Sequence, residues 1–224
     1  MKKPALTPLS KSLIYFGLAL IVFSLFRIAL YVSYRDYFGQ LSAGQILAAF
    51  VHGVRFDAAI IALFFALPLL LINLPLRFAL SNSWQKILAW LLWAVSMAMG
   101  AVLAADIVYF GYVNRHIATE LSALGQDLGA VIHIALTGYT GAVIAYVALG
   151  IGLALGWARI SARDTAPNRH GAIKFVLIFL CLVMTGRGWT FYGKPIGVVH
   201  AFVSGSAVAG NLTLNGLFSA VQTN

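Results

Sequence analysis

The residues of this sequence that could do chemistry are ionisable side chains placed near the ends of long apolar runs. They are Arg55, Asp57, Asp106, Arg115, Glu120, Arg187 and Lys194. Charged groups at membrane depth are costly, and they are usually either paired or functional. Arginine can donate two parallel hydrogen bonds to a phosphodiester, while nearby acids orient it or bind glycerol hydroxyls. The set therefore predicts a polar pocket that binds a phospholipid headgroup.

Structural pairing is the alternative interpretation of the same side chains. Arg55 with Asp57, or Asp106 with Arg115, would neutralise each other and hold helices together. The sequence leaves both interpretations open for any single residue. Four cations near one level of the spans favour the pocket for the set as a whole.

Patterns for catalysis and metal binding are sparse. Asp106 and Glu120 could transfer protons, but nothing in the sequence defines their geometry. The five histidines are scattered without an i, i+4 pair, and the single cysteine, Cys181, cannot build a Cys-rich site. Neither a phosphate-binding P-loop nor a GxSxG nucleophile elbow is present. We therefore predict no catalytic residue, no metal ligand and no cofactor in this chain.

The composition places these side chains in a membrane protein. The 224 residues are 61% hydrophobic and only 9% charged, whereas an ordinary soluble domain has about 25% charged residues. This excludes a soluble enzyme domain, a disordered chain and a disulfide-rich module. The net charge of +9 would indicate nucleic acid in a soluble chain, but here it is typical of loops that face anionic lipid.

Five apolar runs approach the length of about 20 residues that crosses a bilayer. The sequence predicts an all-α polytopic membrane protein with spans at about 12–33, 57–76, 85–107, 140–158 and 171–188. The fifth span is long enough only if Lys174 and Arg187 extend toward the two interfaces. Lysines precede the first span and no cleavage site ends it, so we expect a retained signal anchor.

The distribution of basic residues predicts the orientation. With the N-terminus inside, the inner segments carry nine basic residues and one acid, a net charge of +8. The outer segments carry six basic residues and five acids, a net charge of +1. Because cytoplasmic loops are enriched in Lys and Arg, we predict the N-terminus inside and, with five spans, the C-terminus outside.

Two stretches between the spans have patterns typical of interfacial helices on the outer face. Ser42-x-x-Gln45 is a capping box before an apolar helical stretch, 46–54. Apolar residues also recur every three or four positions from Ile117 to about Ile134. A tilted extension of the fourth span is an equal alternative for the second stretch, with a bend at Gly138–Gly141.

Two further expectations concern packing and the end of the chain. Gly152 and Gly156 form a small-xxx-small pattern, which predicts helix packing within the chain. Residues 189–224 are Gly-rich and mixed, which indicates an outer loop or short helices and not a sixth span. The chain thus divides into a membrane domain, 1–188, and an extracytoplasmic segment, 189–224.

Four motifs, in this order and in these positions relative to the spans, carry a resemblance to a known family. They are Gly53-Val-Arg55-Phe56-Asp57, the run from Asp106 to Glu120, Arg187-Gly188 with Lys194-Pro195, and the run from Leu212 to Phe218. Together they resemble the N-terminal membrane part of the lipoteichoic acid synthase family, the sulfatase-like phosphoglycerol transferases. One difference follows Gly188, where many relatives would have a second glycine and this sequence has Trp189.

The resemblance implies a bacterial cytoplasmic-membrane protein whose five helices anchor a large extracytoplasmic alkaline-phosphatase-like domain. In the family that domain carries a Thr nucleophile and a divalent metal, and it takes phosphoglycerol from phosphatidylglycerol. Nothing in these 224 residues matches that nucleophile or those ligands, so we expect the chain alone to be inactive. The expected partners are an anionic phospholipid and a catalytic domain, in cis or in trans, and no nucleic acid.

Two other function classes stay as alternatives. A small transporter or channel subunit would place ionisable residues at the bilayer midplane and often contains inverted repeats. A non-catalytic membrane scaffold would use the same outer pocket for a protein partner. The sequence has no visible repeat, and its charges stand mostly near the predicted helix ends.

Overall fold

The fold is a bundle of helices that form because long apolar sequences contain few helix-breaking residues. In this computed structural model, residues 4–122, 128–167, 170–190, 192–202 and 205–223 are described. The helices are α1 (Pro8–Ser33), α2 (Arg35–Phe38), α3 (Ala43–Ile72), α4 (Asn82–Val113), α5 (Leu128–Gly138), α6 (Thr140–Ser161), α7 (Gly171–Gly186), α8 (Ala207–Thr213) and α9 (Gly216–Thr223). No strand occurs in the described ranges.

Four of these helices, α1, α3, α4 and α6, are long and apolar enough to cross a bilayer. The chain therefore has the architecture of a multi-pass membrane protein. The predicted fifth span corresponds to α7, which has 16 residues and is shorter than a plain span. The all-α class is confirmed. The count of five spans is not confirmed, because four helices in the described part of the chain are long enough to cross a bilayer.

Side-chain caps define the starts of three of the four long helices, α1, α3 and α4. The Ser42 hydroxyl accepts a hydrogen bond from the Gln45 backbone N–H at 3.3 Å, and Gln45 Oε1 accepts one from the Ser42 N–H at 2.9 Å. This confirms the predicted capping box. The helix that it opens does not stop before the second span, because no proline interrupts residues 43–67. The stretch 46–54 is therefore the first part of α3 and not a separate helix.

The break before α6 also lies within the predicted segment. Helix α5 ends at Gly138 and α6 begins at Thr140, so the bend falls at Tyr139. None of the residues of α5 is buried. The predicted amphipathic stretch includes residues 123–127, which lie outside the described residues.

Helix α3 is at the centre of the bundle. It contacts α1, α4, α7, α8 and α9, and its residues Ile61, Phe65 and Ile72 are fully buried. Helix α6 packs against α4, and α7 packs against α3. The outer helices thus leave apolar side chains such as Ile144 exposed, as expected of a surface solvated by lipid.

The predicted packing role of the two glycines in α6 is wrong. In the described part of the chain, no heavy atom of another segment lies within 4 Å of a Cβ placed on Gly152 or Gly156. The residues of this helix that are buried include Gly150, Leu153 and Trp157, which recur at helical spacing and share another face. The glycine pattern identified a small-residue stripe, but periodicity alone did not tell which face meets the bundle.

The N-terminal segment closes the end of the bundle at which α1 and α4 begin. Lys11 is buried, and its Nζ donates hydrogen bonds to the Arg163 carbonyl oxygen at 3.0 Å and to Thr165 Oγ1 at 2.9 Å. Leu6 forms an isolated β-bridge with Thr165. These contacts hold the connection that follows α6 against the start of α1. The polar residues considered next lie toward the opposite end.

Candidate functional site

A buried group of polar side chains joins α1, α3 and α4 to the C-terminal segment, residues 205–223. We call Arg27, Asp57, Asp106, His116 and Asn215 the polar cluster. Their exposed fractions lie between 1% and 7%. Because burying a charge is costly unless it is paired and hydrogen-bonded, the partners of these groups determine what the cluster can do.

Arg27 and Asp57 form an ion pair between α1 and α3. Arg27 Nη2 lies 2.6 Å from Asp57 Oδ1. Arg27 Nη1 donates to the carbonyl oxygens of residues 212, 213 and 214, at 2.5, 2.5 and 3.1 Å. The last carbonyls of a helix lack partners and carry its negative dipole end. Arg27 therefore caps the C-terminal end of α8 with its charge.

Asn215 connects the same ion pair to the start of α9. Its Nδ2 donates to Asp57 Oδ1 at 2.7 Å, and its Oδ1 accepts from the Phe218 backbone N–H at 2.7 Å. The second bond is an N-cap, since the N–H groups of a first helical turn have no partners within the helix. One side chain thus both begins α9 and attaches it to α3.

Asp106 and His116 form a second tie to the C-terminal segment. His116 Nδ1 lies 2.6 Å from Asp106 Oδ2, and Nε2 lies 2.7 Å from the Asn211 carbonyl oxygen. Asp106 Oδ1 accepts a hydrogen bond from the Ile117 backbone N–H at 2.8 Å. Both ring nitrogens face acceptors, and an imidazolium that donates from both satisfies this arrangement.

The charge state of His116 is set by opposing effects. Burial disfavours the imidazolium and by itself lowers the pKa of His116. The attraction of Asp106, its hydrogen bond and the Asn211 carbonyl oxygen together outweigh burial, so the pKa of His116 is raised above its usual value. With Arg27 and His116 charged, the two cations balance the carboxylates of Asp57 and Asp106.

Gly53 and Gly216 leave the space that the side chains of Arg27 and Asp106 occupy. A Cβ placed on Gly53 would lie 2.3 Å from Arg27 Cζ, and one on Gly216 would lie 2.1 Å from Asp106 Cγ. Such distances are far below van der Waals contact, so a larger residue would displace the guanidinium or the carboxylate. Both glycines belong to motifs that the sequence analysis singled out.

A small cavity adjoins the polar cluster. Its volume is about 20 Å³, which is room for about one water molecule. Arg27, Asp106, His116 and Asn215 line it together with apolar side chains such as Leu103. A phospholipid headgroup needs much more space than this cavity offers.

The predicted ion pairs are wrong in their partners. Arg55 and Asp57 are two positions apart, so they point to nearly opposite sides of α3, about 200° around the helix, and Asp57 pairs with Arg27 instead. After α4, the chain turns at Asn114, which has a φ of 54°. This turn brings the side chain of the next residue but one, His116, to Asp106.

Arg115 and Glu120 form a separate group at the surface. Arg115 Nη2 lies 2.5 Å from Glu120 Oε1, and Tyr109 donates its hydroxyl hydrogen to the same oxygen at 3.0 Å. The Arg115 guanidinium also lies 5.6 Å from the centre of the Tyr109 ring. Hydrogen bonds from Arg115 and from the N–H groups of Glu120 and Ala118 lower the pKa of Glu120 to about 2. This carboxylate stays ionised at neutral pH.

Arg55 and Arg187 hold the connection that follows α7. Arg55 Nε donates to the carbonyl oxygen of Gly188, and Arg187 Nη2 donates to that of Gly193 at 2.8 Å. Lys194 is exposed. Gly188 and Trp189 have φ values of 68° and 61°, a conformation that glycine adopts more easily than other residues.

The seven predicted site residues thus fall into three places. Asp57 and Asp106 belong to the polar cluster, Arg115 and Glu120 to the surface pair, and the other three to α3 and the connection after α7. Of the seven, the small cavity is lined by Asp106. Among the described residues, no group of three His, Cys, Asp or Glu side chains could hold a metal ion.

Sequence reasoning missed the partners within the polar cluster. Arg27 interrupts the first apolar run, which was a signal that a buried anion must face it. Nothing comparable pointed to His116 or Asn215, because Asn215 bonds to an acid 158 residues away and His116 ties the C-terminal segment through a backbone carbonyl. Comparison of the chain with family models, curated proteins and solved structures gave no match.

The fit of Gly53 against Arg27 leads to a stability prediction. We expect Gly53→Ala to lower the free energy of unfolding by at least about 2 kcal/mol, because the added methyl displaces a buried charge. Gly17→Ala is the matched control in α1, where no heavy atom of another described segment lies within 4 Å of the added Cβ. The control should be neutral or stabilise by up to about 1 kcal/mol. Denaturant unfolding in detergent micelles measures both, and equal effects would contradict the role of Gly53.

Proposed function

We propose that this chain is the membrane domain of a phosphoglycerol-transferase-like enzyme of the bacterial cell envelope. It spans the cytoplasmic membrane five times with its N-terminus inside and its C-terminus outside. Its role is to anchor an extracytoplasmic alkaline-phosphatase-like domain and to present phospholipid headgroups at the outer leaflet. The C-terminal segment, docked on the bundle, holds that domain at a defined place.

The observation that carries the proposal is the convergence of the four motifs behind the family resemblance. Asp57 of the first motif contacts Asn215 of the last, and Arg55 of the first contacts the Gly188 carbonyl oxygen of the third. His116, in the second motif, bonds to Asn211 beside the last. Motifs separated by up to about 160 residues meet at one end of the bundle, which supports a shared role.

The backbone conformation at Trp189, after α7, supports the family resemblance although the residue type there differs from the family's glycine. Trp189 stands where a second glycine is expected, and its φ of 61° is one that glycine adopts without strain. The backbone conformation that a Gly-Gly pair would favour is therefore kept although the second side chain is a tryptophan.

The two ends of the chain support an odd number of spans. Lys11 and Leu6 contact the connection after α6 at one end of the bundle. The C-terminal segment lies toward the other end, beside residues late in α1 and α4. Helix α7 connects these two levels, and Lys174 and Arg187 at its ends would extend its 16 residues toward the interfaces.

The surface groups favour headgroup contact outside the small cavity. Asp57 and Asp106 are occupied by internal partners, whereas the Arg115 side chain is 51% exposed and Lys194 is exposed. An arginine whose carboxylate partner is itself at the surface can exchange that partner for a phosphodiester. We therefore place the headgroup contact on the surface around Arg115 and on the connection after α7.

The orientation and the role as an anchor can be tested together. We expect alkaline phosphatase fused after the last residue to be active in a bacterial host, and the same fusion at the N-terminus to be inactive, because that enzyme folds only outside the cytoplasm. Purified chain with a divalent metal should release no glycerol phosphate from phosphatidylglycerol. An inactive C-terminal fusion, lipid turnover, or an ion flux in liposomes that Asp57→Asn abolishes would each contradict the proposal.

Lipid binding provides a second test. We expect Arg55→Ala and Arg115→Ala each to weaken binding of phosphatidylglycerol severalfold, measured by native mass spectrometry of the detergent-solubilised chain, without loss of folding. Arg159→Ala, an exposed cation at the end of α6 on the opposite side, is the control and should change binding less. Equal losses in all three variants would indicate attraction to overall charge and would contradict a site.

A further inference from the structure

His116 is held in a position where only one protonation state satisfies its surroundings. Its ring is buried, and each nitrogen faces an acceptor, Asp106 Oδ2 on one side and the Asn211 carbonyl oxygen on the other. A neutral imidazole has one N–H and can serve only one of them. The other acceptor would then face a ring lone pair in a buried site.

The charges around His116 favour the same state. Asp106 reaches it from α4 and favours the imidazolium, whereas Arg27 from α1 lines the same small cavity and opposes it. Asp57 of α3 is neutralised by Arg27. From the C-terminal segment, the Asn211 backbone carbonyl oxygen lies 2.7 Å from Nε2 of the ring. Loss of the His116 proton would therefore leave a buried group with one net negative charge.

The ring contact to the C-terminal segment has a neutral carbonyl acceptor, whereas the other has a carboxylate, which forms the stronger hydrogen bond. Asp106 keeps a second bond, from the Ile117 N–H, whereas the Asn211 carbonyl oxygen lies in the last turn of α8, where backbone donors are lacking. The Asn211 side chain bonds separately to the Tyr37 hydroxyl and the Asn114 carbonyl oxygen. Within the described residues, the backbone tie at Asn211 depends on the His116 ring.

We propose that Asp106 and His116 form a pH-sensitive latch, closed when His116 is protonated and opened by loss of that proton, which weakens the docking of the C-terminal segment on the bundle. The inference goes beyond the proposed function, because it concerns the docking of residues 205–223 whatever they hold. Proton loss changes no covalent bond other than the ring N–H, and the proton goes to solvent.

The direction of the pH dependence follows from linkage. The pKa of His116 is raised in the docked state above its ordinary value of 6.5, because Asp106 and the Asn211 carbonyl oxygen outweigh the effect of burial. A raised pKa contributes stability that is fully present below the ordinary value and is lost as the pH rises through the docked-state pKa. The latch therefore opens on the alkaline side.

Cysteine labelling of the full chain in micelles tests the latch. In a Cys181→Ser background, Ser219→Cys reports a buried position of α9, and Gln222→Cys reports an exposed one that corrects for the intrinsic pH dependence of the thiol. Labelling by a water-soluble maleimide is compared between about pH 5 and about pH 9. We expect the ratio of the two rates to be low in acid and to rise about tenfold as the pH passes the docked-state pKa.

Two histidine variants identify the responsible group. His116→Gln cannot titrate, so its ratio should not change with pH, while the exposed His200→Gln should keep the wild-type transition. If His116→Gln does not fold, nitrogen NMR of the wild-type imidazoles replaces it, and the His116 titration should coincide with the labelling transition. A flat wild-type ratio, a transition that persists in His116→Gln or vanishes in His200→Gln, or a His116 titration without release would overturn the latch.

Discussion

The guanidinium of Arg27 has to be neutralised inside an apolar bundle, and most of the architecture at that end follows from this constraint. An uncompensated buried charge is costly, and removing one partner of a buried pair typically destabilises a protein by about 3–5 kcal/mol. Asp57 supplies the counter-charge, but it accepts only part of the hydrogen bonds that a guanidinium donates. The N–H groups of Nη1 are directed to the backbone carbonyls of residues 212–214.

Those carbonyls are free because α8 ends there. The last carbonyls of a helix that ends inside a bundle would lack hydrogen-bond donors. Arg27 donates to these carbonyls, and they in turn satisfy part of its N–H groups. Asp106 and His116 repeat this arrangement one step away, at the Asn211 carbonyl oxygen. The C-terminal segment is consequently fixed by side-chain-to-backbone bonds, to which its own Asn211 and Asn215 side chains add further hydrogen bonds.

Local signals predicted the helices well. The capping box at Ser42, the bend at Tyr139 and the apolar runs of the four long helices need only neighbouring residues, and all are found in the structure. The fifth span was harder to predict, because α7 is short and its ends carry charges. Periodicity also failed to show which face of α6 is buried, since that depends on contacts between distant segments.

The site was predicted in its residue types but not in its pairings. Asp57 and Asp106 stood out because acids are rare in this chain, and both are buried. Their nearest cations in sequence were the wrong partners, because two residues along a helix point to opposite sides and a left-handed turn at Asn114 exchanges which side chain faces inward. Arg27 and His116 both donate to backbone carbonyl oxygens of the C-terminal segment. Residue types do not reveal such acceptors, so the sequence could not predict these contacts.

Hydrogen exchange gives the most direct test of the central claim, that Arg27 docks the C-terminal segment on the bundle. The backbone amides of residues 207–223 are compared between the wild-type chain and Arg27→Met in the same micelles, with α6 as the internal reference. We predict that Arg27→Met loses protection throughout 207–223 while α6 keeps its protection. Unchanged protection of 207–223 in a folded Arg27→Met chain would contradict the account.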